Sequence, residues 1–178
     1  MTSESKLQEV ISSFYCTKNP DIKHFLENRA VPFEQFSKSK TYFLMDEEQL
    51  LNKKYAVMAY FTVALKVLKI ADLDLSNRAI KELDGYSAKV SGEVISELPV
   101  YLIGQLAKND TYKHDISGNF VLENAMSVIS AAQEKVGGRI VLIECDNVES
   151  LLRFYTNNAF HVIREDSDKY IQLIRMIV

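Results

Sequence analysis

The stretch that decides the fold is Tyr101–Ala125, YLIGQLAKNDTYKHDISGNFVLENA. Val100 to Lys108 is apolar with a single Gly, which predicts a buried strand, and Lys108-Asn109-Asp110-Thr111 predicts a turn after it. From Ser117 or Gly118 onward, Val121, Ala125, Val128, Ile129 and Ala132 recur at the spacing of one helix face. A strand that feeds a helix start across a Gly-containing turn leaves backbone N–H groups unpaired where an anion can sit. A pyrophosphate-bearing cofactor needs such a place.

Working outward toward the N-terminus, Tyr55–Ile70 (YAVMAYFTVALKVLKI) is the most apolar run in the chain. Its aromatic and β-branched content predicts a long central strand, with a helix as the alternative. Lys40–Met45 (KTYFLM) predicts the first strand, and the polar DEEQLLNKK that follows a turn. Before it, Leu7, Val10, Ile11 and Phe14 predict a helix over 3–14 capped by Ser3 or Ser5, and Pro32 divides residues 21–37 into helices at 21–30 and 32–37. Residues 76–86 predict a helix capped by Ser76 and ended by Gly85, and 87–97 a loop with some β character. Such an insertion between the two longest apolar strands is long enough to carry substrate contacts.

Toward the C-terminus the helix is expected to run to Lys135 and stop at Gly137-Gly138. Arg139–Cys145 (RIVLIEC) then predicts a strand. Asp146 or Asn147 is the expected cap of a helix through Asn157, with Leu151, Leu152 and Tyr155 on its inner side. Strands at Phe160–Arg164 and Tyr170–Val178 flank an acidic turn, EDSDK. This order gives an α+β (mixed α/β) class, one domain over residues 1–178 around a single sheet.

Bulk properties narrow the function. A chain of 178 residues can bury a core without disulfides or metal, and its charge of −3 with pI near 5.7 provides no general basic field for nucleic acid. Cys16 and Cys145 are far apart and read as free thiols. His24, His114 and His161 are dispersed, so no metal site is expected. There is no P-loop, no G-x-S-x-G and no apolar run of membrane-spanning length; MTSESKLQEVISSFYC lacks the apolar core of a signal peptide. The expected location is cytoplasmic, with no membrane partner.

Two stretches carry a family resemblance. Lys113-His114-Asp115-Ile116-Ser117-Gly118, followed by Asn119-Phe120-Val121-Leu122, stands where the GNAT superfamily of acetyl-CoA-dependent N-acetyltransferases has its Q/R-x-x-G-x-G/A pyrophosphate loop and helix start. Phe154–Phe160, FYTNNAF, resembles that family's FYxxxGF, with Ala159 in place of Gly. The first loop Gly is Ile116 here, and the Gln/Arg is Lys113. The N-terminal third, with Asp21-Ile22-Lys23-His24-Phe25-Leu26, Ala30 and Lys40-Thr41-Tyr42, is similar to the acetyltransferase toxins, which acetylate aminoacyl-tRNA.

The resemblance implies a GNAT-like domain with a mixed, mostly antiparallel sheet flanked by helices. It implies acetyl-CoA as acyl donor and a primary amine as acceptor. The cofactor cradle would comprise Leu106, Ala107, Lys108, Lys113, His114, Asp115, Ile116, Ser117, Gly118 and Asn119, with Asn147 beside the pantetheine arm. Tyr155 would be the acid that protonates the leaving thiolate. Glu144 would be the base, ahead of Glu93 and Glu97, unless the amine is neutral enough to need none. An aminoacyl-tRNA acceptor, and with it a tRNA partner, follows only from the toxin resemblance. The other reading is a catalytically silent GNAT-like binding module, for which Asp115 and Ile116 speak. An exposed C-terminal strand could also pair across a homodimer.

Overall fold

The runs richest in β-branched and aromatic residues supply the longest strands, because such side chains fit a pleated, half-buried surface. In the computed structural model, which describes residues 3–71, 73, 75–165 and 170–177, Val57–Lys69 is strand β2 and Glu97–Lys108 is β5. Chain order gives α1 Ser3–Ser12, α2 Pro20–Asn28, α3 Ala30–Gln35, β1 Lys40–Met45, α4 Glu47–Leu51, β2, α5 Asn77–Asp84, β3 Lys89–Val90, β4 Glu93–Val94 and β5. After a 3-10 turn at Asp110–Tyr112 come α6 Gly118–Val136, β6 Ile140–Asp146, α7 Glu149–Asn157, β7 His161–Glu165 and β8 Tyr170–Met176. The strands form one sheet in the order β1-β2-β5-β6-β8-β7 and a separate β3-β4 hairpin. The expected acidic turn lies largely outside the described residues.

Contacts gather the chain into two units, Met1–Ala64 with Gly104–Val128 and Leu65–Ile103 with Ile129–Val178. Strands β2 and β5 and helix α6 run through both.

In the first unit, β1 pairs antiparallel with β2 from Lys40↔Val63 to Met45↔Val57, with a register shift at Leu44/Met45. Tyr42 stacks on Phe61 across this ladder, ring centroids 5.1 Å apart. Val10, Ile11 and Phe14 of the first helical segment pack with Leu26, Ala30, Val57, Tyr60 and Ala107 into one apolar core. The Tyr60 hydroxyl reaches that core's edge and donates to the Ile22 carbonyl at 2.6 Å. The break between α2 and α3 falls at Arg29, not at Pro32. Pro32 sits in the first turn of α3, where its missing N–H would have had no helical partner. The DEEQLLNKK segment is also more ordered than expected. Asp46 accepts from the Gln49 N–H and so caps α4, which the polar composition concealed.

In the second unit, β5 and β6 pair in parallel over Tyr101–Ile103, whereas β6 with β8 and β7 with β8 are antiparallel. Leu68, Ile70, Ile80, Leu98, Val100, Ile140, Leu142 and Ile174 form its core. Helix α5 has the expected Ser76 cap and a left-handed Gly85 after it. Residues 87–97 tighten into a hairpin whose turn residues Ser91 and Gly92 both have positive φ, 54° and 88°. Gly137 and Gly138 stop α6 at positive φ, and a Cβ on Gly138 would meet the Tyr101 ring at 2.6 Å. The cap of α7 differs from expectation. Val148 is the N-cap residue and has no side-chain cap bond, while its N–H donates to the Asp146 carbonyl at 2.7 Å.

Candidate functional site

The parallel ladder of β5 with β6 ends at Ile103, and β5 runs on from Gly104 to Lys108. Ala107 turns into the apolar core, so its neighbours Leu106 and Lys108, both half-buried, take the opposite face. Lys108 then organises the loop that follows. Its Nζ donates to the Lys113 carbonyl at 2.8 Å and to the Ile116 carbonyl at 3.0 Å. The N–H groups of Asp115 and Ile116 both point back to the Tyr112 carbonyl, at 3.0 and 3.3 Å. Those two amides are therefore spent on the turn itself.

Ile116 has no left-handed backbone: among the described residues, positive φ outside glycine is confined to Ser37, Lys53, Ser91 and Ala159. Its side chain is 7% exposed. The turn thus takes a shape a β-branched residue can adopt, with the side chain turned inward rather than across the loop mouth. Ser117 ends the loop as a helix cap, its Oγ accepting from the Phe120 N–H at 3.1 Å. Gly118 and Asn119 open α6, where first-turn amides and the helix dipole favour an anion. Lys113, His114, Asp115, Ser117 and Asn119 are exposed.

The residues proposed for chemistry lie in the second unit. Tyr155 on α7 is 6% exposed and stands edge-on between Phe154 and Phe160, at 5.0 and 5.8 Å between centroids. Burial, and secondarily the neighbouring Cys145, push its phenol well above the ordinary tyrosine range, so it is protonated at neutral pH. The Cys145 thiol is itself pushed up to about 11, first by burial and then by Asp146.

The chain leaves α7 through Ala159, at φ 63°, which places the Phe160 N–H on the Tyr155 carbonyl at 3.1 Å. Glu144 has both carboxylate oxygens engaged. Lys66 Nζ donates to Oε2 at 2.6 Å and Gln172 Nε2 to Oε1 at 2.7 Å. Asn147 sits in an exposed bend before α7. Glu93 and Glu97 are exposed, on the hairpin and at the first residue of β5.

The structure thus brings Lys108, Lys113 and Ile116 together, and it brings Tyr155 together with Cys145. It joins Glu144 to Lys66, a partner the sequence reading did not name. Lys66 sits among inward positions of β2, between exposed Leu65 and Val67. A lone cation at that phase of a strand was the available signal. Among the described residues no cluster of His, Cys, Asp and Glu could hold a metal ion, and no helix is long and apolar enough to cross a membrane.

No protein-family model matches the sequence, and no curated protein matches it. Solved structures do. The fold is that of the GNAT acetyltransferases. AtaT complexed with acetyl-methionyl-tRNAfMet has a TM-score of 0.69 at 17% identity, with 91% of this chain and 85% of that chain covered. A tyrosine-to-phenylalanine variant of KacT has a TM-score of 0.71 at 16% identity, covering 93% and 86%. A tyrosine-to-phenylalanine variant of the AtaT toxin, bound to the C-terminus of the antitoxin AtaR and acetyl-CoA, has a TM-score of 0.66 at 16% identity, covering 93% and 84%. At these identities the likeness is one of fold.

Proposed function

We propose that this protein is an N-acetyltransferase that moves the acetyl group of acetyl-CoA to a primary amine, and that the amine is the α-amino group of an aminoacyl-tRNA. The observation that carries the reading is the extension of β5 beyond its parallel ladder into the Lys108-closed loop and the start of α6. That run provides an open backbone edge followed by helix-start amides, the two features a thioester arm and a pyrophosphate need. Ile116 fits this use because its side chain packs inward. The likeness to an AtaT structure containing acetyl-CoA supports the donor, and that to AtaT with acetyl-methionyl-tRNAfMet supports the acceptor.

Acetyl-CoA would supply an activated acyl carbon. The chain's own groups do the rest. The N–H groups of Leu106 to Lys108 would hold the thioester oxygen as negative charge develops on it. As nitrogen bonds to the acyl carbon and the C–S bond breaks, the sulfur must gain a proton and the nitrogen lose one. The family resemblance alone gives Tyr155 the role of acid toward the leaving sulfur. A phenol whose pKa is raised by burial is a poor donor to a thiolate of pKa about 8.5 unless it is reprotonated in the same event.

The engagement of Glu144 bears on the acceptor. Both Glu144 oxygens are already engaged, by Lys66 and by Gln172, so the base role is assigned to no side chain. An α-amino group, with a pKa of about 7.7–8.0, is partly neutral near physiological pH, whereas a lysine side chain at about 10.4 is not. An acceptor that needs no side-chain base would be the α-amine. Incubation with acetyl-CoA and charged tRNA, followed by mass spectrometry of the released amino acid, should show N-acetylation. Acetylation of lysine peptides at comparable rate, with none on charged tRNA, would overturn the acceptor assignment.

A further inference from the structure

Resting on that reading, we infer that Asn109 and Asp110 are positioning residues. They clamp the connection between α1 and α2 to the root of the loop proposed to hold acetyl-CoA, and so set its affinity. Asn109, immediately after β5, is fully buried, and every hydrogen-bonding site of its amide is used. Nδ2 donates to the carbonyls of Ser13 at 2.8 Å and Val57 at 2.7 Å. Oδ1 accepts from the N–H groups of Tyr15 at 3.3 Å and Thr111 at 3.1 Å. Its own N–H donates to the Met58 carbonyl at 2.8 Å. One side chain thus joins the end of the first helical segment, the start of β2 and the start of the loop.

Asp110 repeats the connection one residue on. Its N–H donates to the Tyr15 carbonyl at 2.8 Å, and its Oδ2 accepts from both the N–H and the Oγ1 of Thr17, each at 2.7 Å. The loop is held at its root by this clamp and closed farther along by Lys108. The pairing also engages the Asp110 carboxylate with Thr17, in a loop whose proposed ligand is an anion. No other residue type offers two donors and two acceptors in the volume of Asn109, which accounts for a polar side chain in an otherwise apolar setting.

Thr17 is exposed, so Thr17→Val and Asp110→Asn remove parts of the clamp with little risk to the fold. By titration calorimetry, Asp110→Asn should raise the acetyl-CoA Kd about tenfold, the effect of one hydrogen bond to a charged group. Thr17→Val should raise it by less, Thr17→Ser should restore it, and kcat at saturating acetyl-CoA should stay within about twofold, as expected when only binding is lost. Acetyl-CoA should also slow hydrogen exchange at the amides of Tyr15 and Thr17, because coupling between two sites is reciprocal. Folded variants with wild-type Kd and no ligand-dependent protection at these amides would overturn the clamp alone. Failure of the wild-type protein to bind acetyl-CoA would overturn both the clamp and the function it rests on.

Discussion

Replacing Ala159 by glycine should stabilise the protein. Ala159 closes α7 at φ 63°, its N–H on the Thr156 carbonyl at 3.1 Å and the next N–H, of Phe160, on Tyr155. An L-residue held there costs about 1–2 kcal/mol, because Cβ crowds the adjoining carbonyl oxygen. Glycine removes that cost but brings greater backbone freedom to the unfolded chain, worth roughly 0.5–1 kcal/mol in the other direction. Ala159 is exposed, so little apolar burial is lost. The difference leaves a gain of roughly 0.5–1 kcal/mol, equivalent to about 1–4 °C in Tm for a chain of this size. Calorimetric unfolding of the wild type, Ala159→Gly and Ala159→Val should place them in the order Gly, Ala, Val from most to least stable. Destabilisation by glycine would refute the reasoning, since it would mean that this junction does not store left-handed strain.

Two further outcomes follow from particular pairs. Glu144→Gln keeps the shape but weakens the bond to Lys66, so activity should change less than about threefold if no side chain acts as base. A fall of about a hundredfold or more, with acetyl-CoA affinity intact, would restore Glu144 to that role. The Thr17 bonds hold the Asp110 carboxyl below its ordinary 3.8, so Asp110 contributes stability above that value and loses it as pH falls through its lower folded pKa. Stability curves should therefore show an acid limb below about pH 4 that is shallower in Asp110→Asn. Superimposable acid limbs would show that this pairing adds nothing to the fold.

Much of the fold was legible because local chemistry and global role agreed. Lys40–Met45 is a strand with the very bounds expected, and Ser76 and Gly85 cap α5 as their types demand. Disagreement arose where tertiary partners overrode local signals. Pro32 looked like a break but is harmless in a first turn, and Asp146 and Asn147 looked like caps but yielded that place to Val148. The same holds for the candidate site. The strand-turn-helix course of the loop was readable from its pattern, Tyr155 was singled out only by the family resemblance, and Ala159, which stands where that family has glycine, takes a left-handed backbone.

The partners of the site residues were not readable. Asn109 and Asp110 looked like ordinary turn formers, because their partners Ser13, Tyr15 and Thr17 lie some ninety residues away in sequence. Glu144 looked like a free strand-end carboxylate because nothing local announces Lys66. Ile116 looked like an obstacle, and only burial shows that its side chain turns inward.

The most direct test of the account is a thermal-shift titration with acetyl-CoA. Binding to the native state alone stabilises by about 2.7 kcal/mol at a hundred times Kd, so Tm should rise by several degrees there and go on rising with the logarithm of the acetyl-CoA concentration. CoA lacking the acetyl group should give a similar but smaller rise. An unchanged Tm at millimolar acetyl-CoA would contradict the central claim that the run from Gly104 to Asn119 holds this donor.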